Sequence, residues 1–562
     1  MQTYQKHYNT KKTSQRQVIP GREKDMAKNY AGGVVFKLDE WKVLDRFLIL
    51  GSDQPTYYAT AKELTVKNAD NIKTLIDNCK TQDTAKKLVD RIVEVSESGR
   101  APNNDPALFA LAMVVGFGSD VAKKYALENL TKVARIGTHL FHFAEYVNGF
   151  RGWGRGLRNG VAKWYTEKNI DSLALQAVKY QSRDGWSHRD LLRLSHAQAT
   201  DGIFNLAFAW MTHGVGGERL MKDKSTEKTF PHTIEDVKDI PLIYAFELAK
   251  KATTEDEIVA LINQYNIPRE AIPTQFMGKK VWETLLPKTP MTALIRNLGN
   301  LSKHGILESG NFTEINFVVD KITNEDNLRK ARIHPVAILM ALKTYESGHG
   351  MRGSGQWNVV PQIVKALNDA FYLAFKYVEP TGKRILLALD VSGSMSNGGV
   401  ANILNLSPRE ASAALALVTM RTEKNHAIIG FTGGDWLSGQ SNVAELKVHS
   451  GMSLNEITDY TNGLPFGATD CALPAIWAKN NKKDFDAIVI YTDCETWAGK
   501  IHPTQAMKQY RDQVGHDVKL IVVGMTSTEF TIADPMDTSA LDVVGFDTNV
   551  PTIMSDFISD KF

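Results

Sequence analysis

Residues 385–395 read ILLALDVSGSM and decide the fold of the last third of the chain. The apolar run predicts a buried strand, and the turn that follows brings Asp390, Ser392 and Ser394 close together. One carboxylate and two hydroxyls are ligands that suit a hard divalent cation such as Mg²⁺. The stretch therefore predicts a parallel-sheet domain with a metal site at the carboxyl end of one strand.

The chain after residue 378 alternates strand and helix signals. Residues 379–382 (EPTG) are a turn-rich break, and the apolar runs beyond them are continuous, as in parallel strands covered on both faces. We predict strands at 384–390, 427–431, 487–492 and 518–524, with helices at 408–421, 471–478 and 503–513. Residues 379–562 are therefore predicted to form a doubly wound α/β domain.

Two further oxygen ligands are predicted to reach the same edge of this sheet. Asp493 ends the strand at 487–492, and Thr469 lies in the loop between two elements. In a doubly wound sheet, ligands bind beyond the carboxyl ends of the strands. Each residue alone is better explained as a helix cap or a turn residue. Together they predict a metal site, formed by Asp390, Ser392, Ser394, Thr469 and Asp493.

Residues 31–378 carry apolar residues at helical spacing in one segment after another. Short turns separate the segments, and strand-like alternation is nearly absent apart from a short strand at 33–36. The pattern predicts helix pairs stacked as a solenoid, with an irregular helical domain as the alternative, because no clean sequence period is found. Residues 1–30 are polar and basic, and we expect them to form a flexible arm.

Composition excludes several classes of protein. In 562 residues no apolar run approaches the roughly 18 residues that a membrane span needs. Residues 1–24 lack the apolar stretch of a secretory signal. The three cysteines, Cys79, Cys471 and Cys494, have no metal-type spacing and give no disulfide framework. We therefore expect a cytoplasmic protein in a reducing compartment, without membrane contact.

The net charge of +3 conceals a local excess of positive charge. Between Lys132 and Arg193 there are eleven Lys and Arg residues against five Asp and Glu. Such a concentration is expected of a nucleic-acid contact, although solvated helical faces also carry it. Charge alone therefore leaves both interpretations open.

Arginines alternate with aromatic residues inside this segment. Arg151, Arg155 and Arg158 are spaced to share one face of a helix, and Trp153 lies among them. Guanidinium groups bind phosphates well, and aromatic rings stack on unpaired bases. Each aromatic residue or histidine alone is better explained as part of the core. As a group, the segment predicts RNA contacts by Arg151, Arg155, Arg158, Lys179, Arg183, His188, Arg189 and Arg193.

Short strings in both halves of the chain resemble the Ro ribonucleoprotein autoantigen family from about residue 30 onward. In the helical half they are RFLILGS (46–52), THLF (138–141), WGR (153–155), GWSH (185–188), LLRLSH (191–196), MTAL (291–294), RNLG (296–299), ARIHP (331–335) and GHG (348–350). In the last third they are EPTGKR (379–384), TDC (469–471), GMTS (524–527) and FTIADP (530–535). The helical half resembles a TROVE module, and the metal motif is similar to the adhesion site of von Willebrand factor A domains.

The resemblance implies a monomeric ring of HEAT-like helical repeats closed by the von Willebrand-type domain. It implies that Y-type small noncoding RNA binds the outer basic surface and that single-stranded ends of misfolded RNA enter a central hole. By the same resemblance to bacterial members of the family, we expect such an RNA to tether the ring to an exoribonuclease. At the metal site the hydroxyls of Ser392, Ser394 and Thr469 would ligate Mg²⁺ or Mn²⁺, and the two aspartates would act mostly through water. Such an ion can recruit a carboxylate from a protein partner.

These observations predict an RNA-binding scaffold in RNA quality control rather than an enzyme. One alternative is a metal-dependent protein-interaction module without an RNA role, which rests on the Asp390 turn alone. A Mg²⁺-dependent nuclease is a weaker alternative, because no His or Glu is clearly placed as a general base. The identity of the RNA does not follow from the sequence.

Overall fold

The computed structural model describes residues 12–51, 61–216, 231, 233–331, 333–350, 355–376, 378–396, 400, 406–434, 442–464, 467–547 and 549–561. In its last third, the chain forms a six-stranded sheet. Its strand order is β11-β9-β8-β5-β6-β7, and only the edge strand β7 is antiparallel. The strands are β5 (Ile385–Asp390), β6 (His426–Thr432), β7 (Asn442–Glu445), β8 (Ala487–Thr492), β9 (Lys519–Gly524) and β11 (Ala540–Val544). The predicted doubly wound domain is confirmed.

Alternate residues of each central strand face two different apolar cores. Leu386, Ala388 and Ile490 pack in one of them, while Leu387 and Val489 pack in the other. The second core is continuous with the apolar interior of the helical half. The helices of this domain, which we number after those of the helical half, are α20 (Pro408–Thr422), α21 (Leu454–Asn462), α22 (Leu473–Asn480), α23 (Pro503–Val514) and α24 (Asn549–Ile558).

The helical half consists of short helices that pack mainly on near neighbours in the sequence, as expected of a solenoid. They are α1 (Glu40–Leu50), α2 (Ala61–Asn78), α3 (Gln82–Ser98), α4 (Asp105–Phe117), α5 (Asp120–Glu128), α6 (Leu130–Val133), α7 (Gly137–Phe150), α8 (Arg155–Thr166), α9 (Ile170–Lys179), α10 (His188–Ser195), α11 (Gly202–His213), α12 (Pro241–Lys251), α13 (Glu255–Tyr265), α14 (Lys279–Leu285), α15 (Met291–Lys303), α16 (Phe312–Thr323), α17 (Glu325–Ala331), α18 (Pro335–Glu346) and α19 (Pro361–Leu373). Ser52 and Arg332 of the family-like strings lie outside the described residues.

Both ends of the helical array reach the α/β domain and meet each other. Near its start, Arg46 of α1 donates to Asp542 Oδ1 of β11 at 2.7 Å. Arg100, before α4, donates to the carbonyl of Val544 at 2.8 Å. Near its end, the His334 ring contacts the carbonyl oxygen of Arg100 at 3.1 Å. The array therefore closes on itself at the α/β domain, which confirms the ring-like arrangement.

Residues 12–30 do not form the flexible arm expected from the sequence. Gln15 is fully buried and donates to Asp470 Oδ1 at 2.7 Å and to the carbonyl of Ile501 at 2.9 Å. Arg22 forms a two-point ion pair with Asp534 at 2.7 and 2.8 Å. The expectation failed because it counted only apolar area, whereas this segment is held by polar side chains that find partners in the α/β domain. Residues 1–11 lie outside the described residues.

The predicted short strand at 33–36 is part of a second, small sheet. Strand β2 (Val34–Lys37) pairs with β1 (Met26–Lys28) on one side and with β10 (Phe530–Thr531) on the other, antiparallel in both cases. The N-terminal segment thus adds two strands to the surface of the α/β domain. Among the helices that the structure describes, none has the length and apolar character needed to cross a membrane.

Candidate RNA surface and metal constellation

The main part of the basic segment folds as four helices, α7 to α10, with a tight loop between α7 and α8 and a hairpin between α9 and α10. Helix α7 ends at Phe150, and α8 begins at Arg155. After α9, the short strands β3 (Ser182–Arg183) and β4 (Trp186–Ser187) form an antiparallel hairpin that leads directly into α10. Helix α8 packs against α10, and the hairpin packs against α7. Residues 151–196 therefore form one contiguous surface unit.

Arg151 does not share a helical face with Arg155 and Arg158, contrary to the prediction. It lies in the loop between α7 and α8, where Gly152 has a φ of 73°. Its guanidinium donates to the carbonyl of Val115 at 3.0 Å, so part of its hydrogen-bonding capacity is used inside the protein. The predicted spacing assumed an uninterrupted helix, and the glycine with positive φ breaks it. Arg155 and Arg158 do lie together on the first turn of α8.

Four arginines of α8 and α10 are exposed without a carboxylate partner. Within the described residues, no Asp or Glu oxygen lies within 4 Å of the guanidinium groups of Arg155, Arg158, Arg189 and Arg193. The N-cap residue of α8, Gly154, supplies no side-chain cap, and the first turn of the helix has no acidic residue. Its free N–H groups and positive helix end therefore add to the two arginines. This surface carries positive charge that the protein itself does not neutralise.

Lys179 and Arg183 lie on the hairpin side of this surface. Arg183 is exposed, with its Nε 3.7 Å from Asp184 Oδ1. Lys179 is half-buried and lies 5.5 Å from the ring centroid of Tyr180.

The aromatic residues divide into two groups. Trp164 and Tyr165 are fully buried and belong to the core. Trp153 and Trp186 are half-buried and pack on each other, with ring centroids 5.8 Å apart. Trp186 Nε1 also donates to Glu145 Oε2 at 2.7 Å. The two half-buried rings fix the hairpin against the loop that carries Arg151.

His188 is a core residue rather than a contact residue. It is buried beneath the surface, where its ring packs 4.9 Å from that of Phe141. Its Nδ1 lies 2.9 Å from the Tyr165 hydroxyl, and its Nε2 lies 3.4 Å from the carbonyl oxygen of Gln176. Burial lowers the pKa of His188 to about 4. The sequence analysis grouped His188 with the basic residues that were predicted to bind RNA. In the structure, His188 is the first residue of α10, and its ring points into the core.

The buried neutral ring of His188 makes stability sensitive to acid. Because its pKa is lower in the folded chain than in the unfolded chain, the stabilisation is complete above about pH 6.5 and is lost as the pH falls toward 4. We expect the stability advantage of the wild type over His188→Gln to shrink by about 2 kcal/mol between pH 7 and pH 5. Urea titrations at the two pH values measure this. Exposed His196→Gln is the control, and a constant advantage would contradict the prediction.

The five residues predicted to bind metal lie at the junction of β5 and β8. The two strands are parallel neighbours in the sheet. After β5 the chain continues to β6 on one side, and after β8 it continues to β9 on the other side, so this junction is the topological switch point of the sheet. Asp390 Oδ1 accepts from the Ser392 amide at 2.9 Å, and its Oδ2 accepts from Thr492 at 2.7 Å. The Ser392 and Ser394 hydroxyl oxygens lie 3.1 Å apart. The amide of Gly393 donates to the carbonyl of Gly467 at 3.1 Å, which brings in the loop carrying Thr469.

The electrostatics of this constellation fit a divalent cation. Burial and the neighbouring charge of Asp390 raise the pKa of Asp493 to about 7, and burial raises that of Asp390. The Thr469 hydroxyl oxygen is buried without a hydrogen-bond partner. A cation would compensate the carboxylates and satisfy this oxygen. No group of three or more His, Cys, Asp or Glu side chains that could hold a metal occurs in the described ranges, so the donor set here is two carboxylates with three hydroxyls.

Arg409 of α20 supports the turn that carries these ligands. Its guanidinium is buried and donates to the carbonyl oxygens of Val391 at 2.5 Å and Ser392 at 3.1 Å. A third bond at 3.2 Å reaches the carbonyl of Thr461. The sequence prediction missed this residue, because a single arginine in the first turn of a helix carries no motif. It fixes the backbone of the Asp-x-Ser-x-Ser turn.

Comparison with known proteins covers nearly the whole chain. Residues 27–346 match the family model of the TROVE domain, and residues 384–558 match that of the Ro60 vWA domain. A protein named RNA-binding protein RO60 from Deinococcus radiodurans is 39% identical over 535 residues, which are 94% of each chain. A protein of the same name from Caenorhabditis elegans is 34% identical, over 95% of this chain and 90% of its own.

A solved structure agrees with the sequence matches. The crystal structure of the Deinococcus radiodurans RO (RSR) protein superposes with a TM-score of 0.69 at 38% identity, and it covers 93% of this chain and 100% of that one. Helical half, α/β domain and their order along the chain are thus shared with these relatives. The chain belongs to the Ro60 family, with a TROVE domain followed by a Ro60 vWA domain.

Proposed function

We propose that this protein binds RNA through the surface formed by α8, α10 and the β3–β4 hairpin. The observation that carries the proposal is the set of four exposed arginines on two packed helices that have no carboxylate partner among the described residues. The relatives in Deinococcus radiodurans and Caenorhabditis elegans are named as RNA-binding proteins, which supports the same class of ligand. Guanidinium groups free of internal ion pairs are available for phosphate oxygens.

The local charge pattern is unfavourable without an anion. Two cationic side chains in the first turn of α8 oppose the positive end of the helix dipole, and Gly154 supplies no capping oxygen. A phosphate at this place would accept from the free N–H groups and pair with Arg155 and Arg158. An RNA backbone therefore relieves a repulsion that the free protein carries.

The finer proposal concerns the kind of RNA. We propose Y-type small noncoding RNA on this basic surface and single-stranded ends of misfolded RNA in the centre of the ring, with the protein acting as a scaffold in RNA quality control. A partner exoribonuclease tethered through the RNA belongs to the same proposal. It is supported by the ring-like closure of the helical array and by family membership.

Crosslinking the protein to RNA in its host and sequencing the bound RNA tests this proposal. We expect enrichment of one or a few small structured RNAs, with crosslinks concentrated between residues 151 and 196. A protein that is purified free of nucleic acid and with tight protein partners would instead favour a protein-interaction module. RNA cleavage by the pure protein that requires Mg²⁺ and is lost in Asp390→Ala would instead favour a nuclease.

We further propose that Asp390, Ser392, Ser394, Thr469 and Asp493 hold Mg²⁺ or Mn²⁺. The support is the pair of buried carboxylates with raised pKa values next to an unpartnered buried hydroxyl. Such an ion supplies a positive charge able to accept a carboxylate ligand from a partner protein. Arg409 keeps the ligand turn in place through its bonds to backbone carbonyls.

Manganese binding followed by electron paramagnetic resonance tests the metal proposal. We expect Thr469→Val to weaken Mn²⁺ binding by at least about tenfold, because it removes an oxygen without changing the shape of the side chain. Thr419→Val is the matched control, since Thr419 is also buried but bonds to its own helix at Leu415. Absence of Mn²⁺ binding by the wild type would refute the proposal.

A further inference from the structure

His142 of α7 lies between two carboxylates from different elements. Its Nδ1 is 2.7 Å from Asp105 Oδ1 at the start of α4, and its Nε2 is 3.1 Å from Asp184 Oδ2 at the tip of the hairpin. The contact with Asp105 is a hydrogen bond, and the contact with Asp184 is an ion pair between the ring and the carboxylate. A positive charge on the ring strengthens both contacts, because each partner is a carboxylate.

The contact with Asp184 fixes the turn of the hairpin. Asp184 and Gly185 have φ values of 52° and 80°, the left-handed pair that a two-residue hairpin turn needs. A second bond from Trp186 to Glu145 attaches the other strand to α7 one helical turn away from His142. The hairpin thus depends on side chains of α7 for its position. Arg183, adjacent to the turn, moves with it.

We propose that the imidazolium of His142 is a positioning residue that holds the β3–β4 hairpin against α7 and thereby sets the RNA affinity of this surface. The inference rests on the proposed RNA-binding function. It adds a dependence on pH, because the neutral ring no longer attracts the carboxylate of Asp184 by its charge. When His142 loses its proton, the ionic attraction between α7 and Asp184 is lost, while the bond from Trp186 to Glu145 remains.

The charges around the ring set the pH range in which this occurs. The hydrogen bond with Asp105 raises the pKa of His142 above its ordinary value of 6.5, the charge of Asp184 also raises it, and burial and Arg183 oppose the rise. The neighbouring His139 stays neutral, since burial lowers its pKa to about 4. A group with a raised pKa is fully protonated at mildly acidic pH, so the attachment is present there and is lost as the pH rises through that raised pKa.

RNA affinity measured from pH 6 to pH 9 tests the proposal, with a labelled stem–loop RNA that carries a single-stranded 3′ tail. We expect the wild type to lose about fivefold in affinity between pH 6.5 and pH 9. His142→Gln should bind about fivefold more weakly than the wild type at pH 6.5 and show no further loss. Asp184→Asn keeps a residue that tolerates positive φ but removes the carboxylate, and it should reproduce this flat profile. His213→Gln, at the exposed end of α11, should keep the profile of the wild type above pH 7.

Hydrogen exchange of residues 182–187 without RNA provides a second readout. We expect the protection factors of the wild-type hairpin to fall as the pH rises through the titration of His142, and those of His142→Gln to be low throughout. An unchanged pH profile of affinity and protection in His142→Gln would overturn the proposal. If the wild type bound no RNA at any pH, the proposed function would fail, and the exchange data alone would decide whether the hairpin is held by His142.

Discussion

Replacing Arg155, Arg158, Arg189 and Arg193 together by alanine is expected to lower RNA affinity by at least about 100-fold at 0.15 M salt. Each side chain is exposed, and none has a carboxylate partner within the described residues, so the loss reflects missing contacts to phosphate and not the loss of internal ion pairs. The logarithmic salt slope should also become shallower by about 3, because each phosphate contact contributes about 0.7 to 0.9 to it. Fluorescence anisotropy at several salt concentrations measures both quantities.

A charge-matched variant shows whether the effect is specific to this surface. Lys383, Lys424, Lys447 and Lys500 are exposed on the α/β domain, and their replacement by alanine removes the same net charge. We expect at most a few-fold loss in that variant, since distant charges are screened beyond about 8 Å at physiological salt. Equal losses in the two variants would show that only the net charge matters and would contradict the assignment of the surface.

Arg46→Ala is expected to destabilise the protein by about 3–5 kcal/mol. Arg46 is 1% exposed and its partner Asp542 is 4% exposed, so the variant leaves a buried carboxylate without its countercharge. The same guanidinium donates to the carbonyl of Thr528 at 3.1 Å, and that oxygen also loses its partner. Chemical denaturation followed by circular dichroism measures the loss.

Arg91→Ala is the matched control for this prediction. Arg91 binds Asp45 of α1 at 2.6 and 2.8 Å, but the two side chains are 26% and 21% exposed. Water can solvate the remaining carboxylate there, so we expect a loss of only about 1 kcal/mol. A loss for Arg46→Ala as small as that for Arg91→Ala would show that the buried pair does not hold α1 to the sheet.

The central strands could be predicted from the sequence, and the edge strands could not. β5, β6, β8 and β9 are continuous apolar runs, and the observed bounds differ from the prediction by at most one residue at each end. Strand β7 (NVAE) and strand β11 (ALDVV) contain charged residues, because an edge strand meets water on one side. The N-terminal segment escaped prediction for a related reason, since Gln15 and Arg22 are buried by pairing with distant polar groups.

The positions of the candidate site residues agree with the sequence pattern where residue type decides position and differ from it where the backbone does. Asp390, Ser392 and Ser394 lie where the strand-to-turn pattern places them, because the end of a buried strand leaves little choice. The hairpin and the position of Arg151 depend on glycines with positive φ. The Asp184-Gly185 pair is a recognised hairpin signal that would have revealed the turn. The sequence around His188 gives no indication that this residue is buried, because its burial results from packing against Phe141 and Trp164, which lie elsewhere in the chain.

The apolar core that runs from the helical array into one face of the sheet bears on how this chain can evolve. Leu387 and Val489 of the sheet belong to the same cluster as Leu111 and Leu339 of the helices. A change in the volume of one such side chain disturbs the packing of both halves, because protein interiors are close-packed. The two halves are distinct stretches of sequence that share one apolar core, so we expect neither half to fold without the other. We also expect insertions and exchanges to be tolerated in the surface loops and not at the join between the two domains.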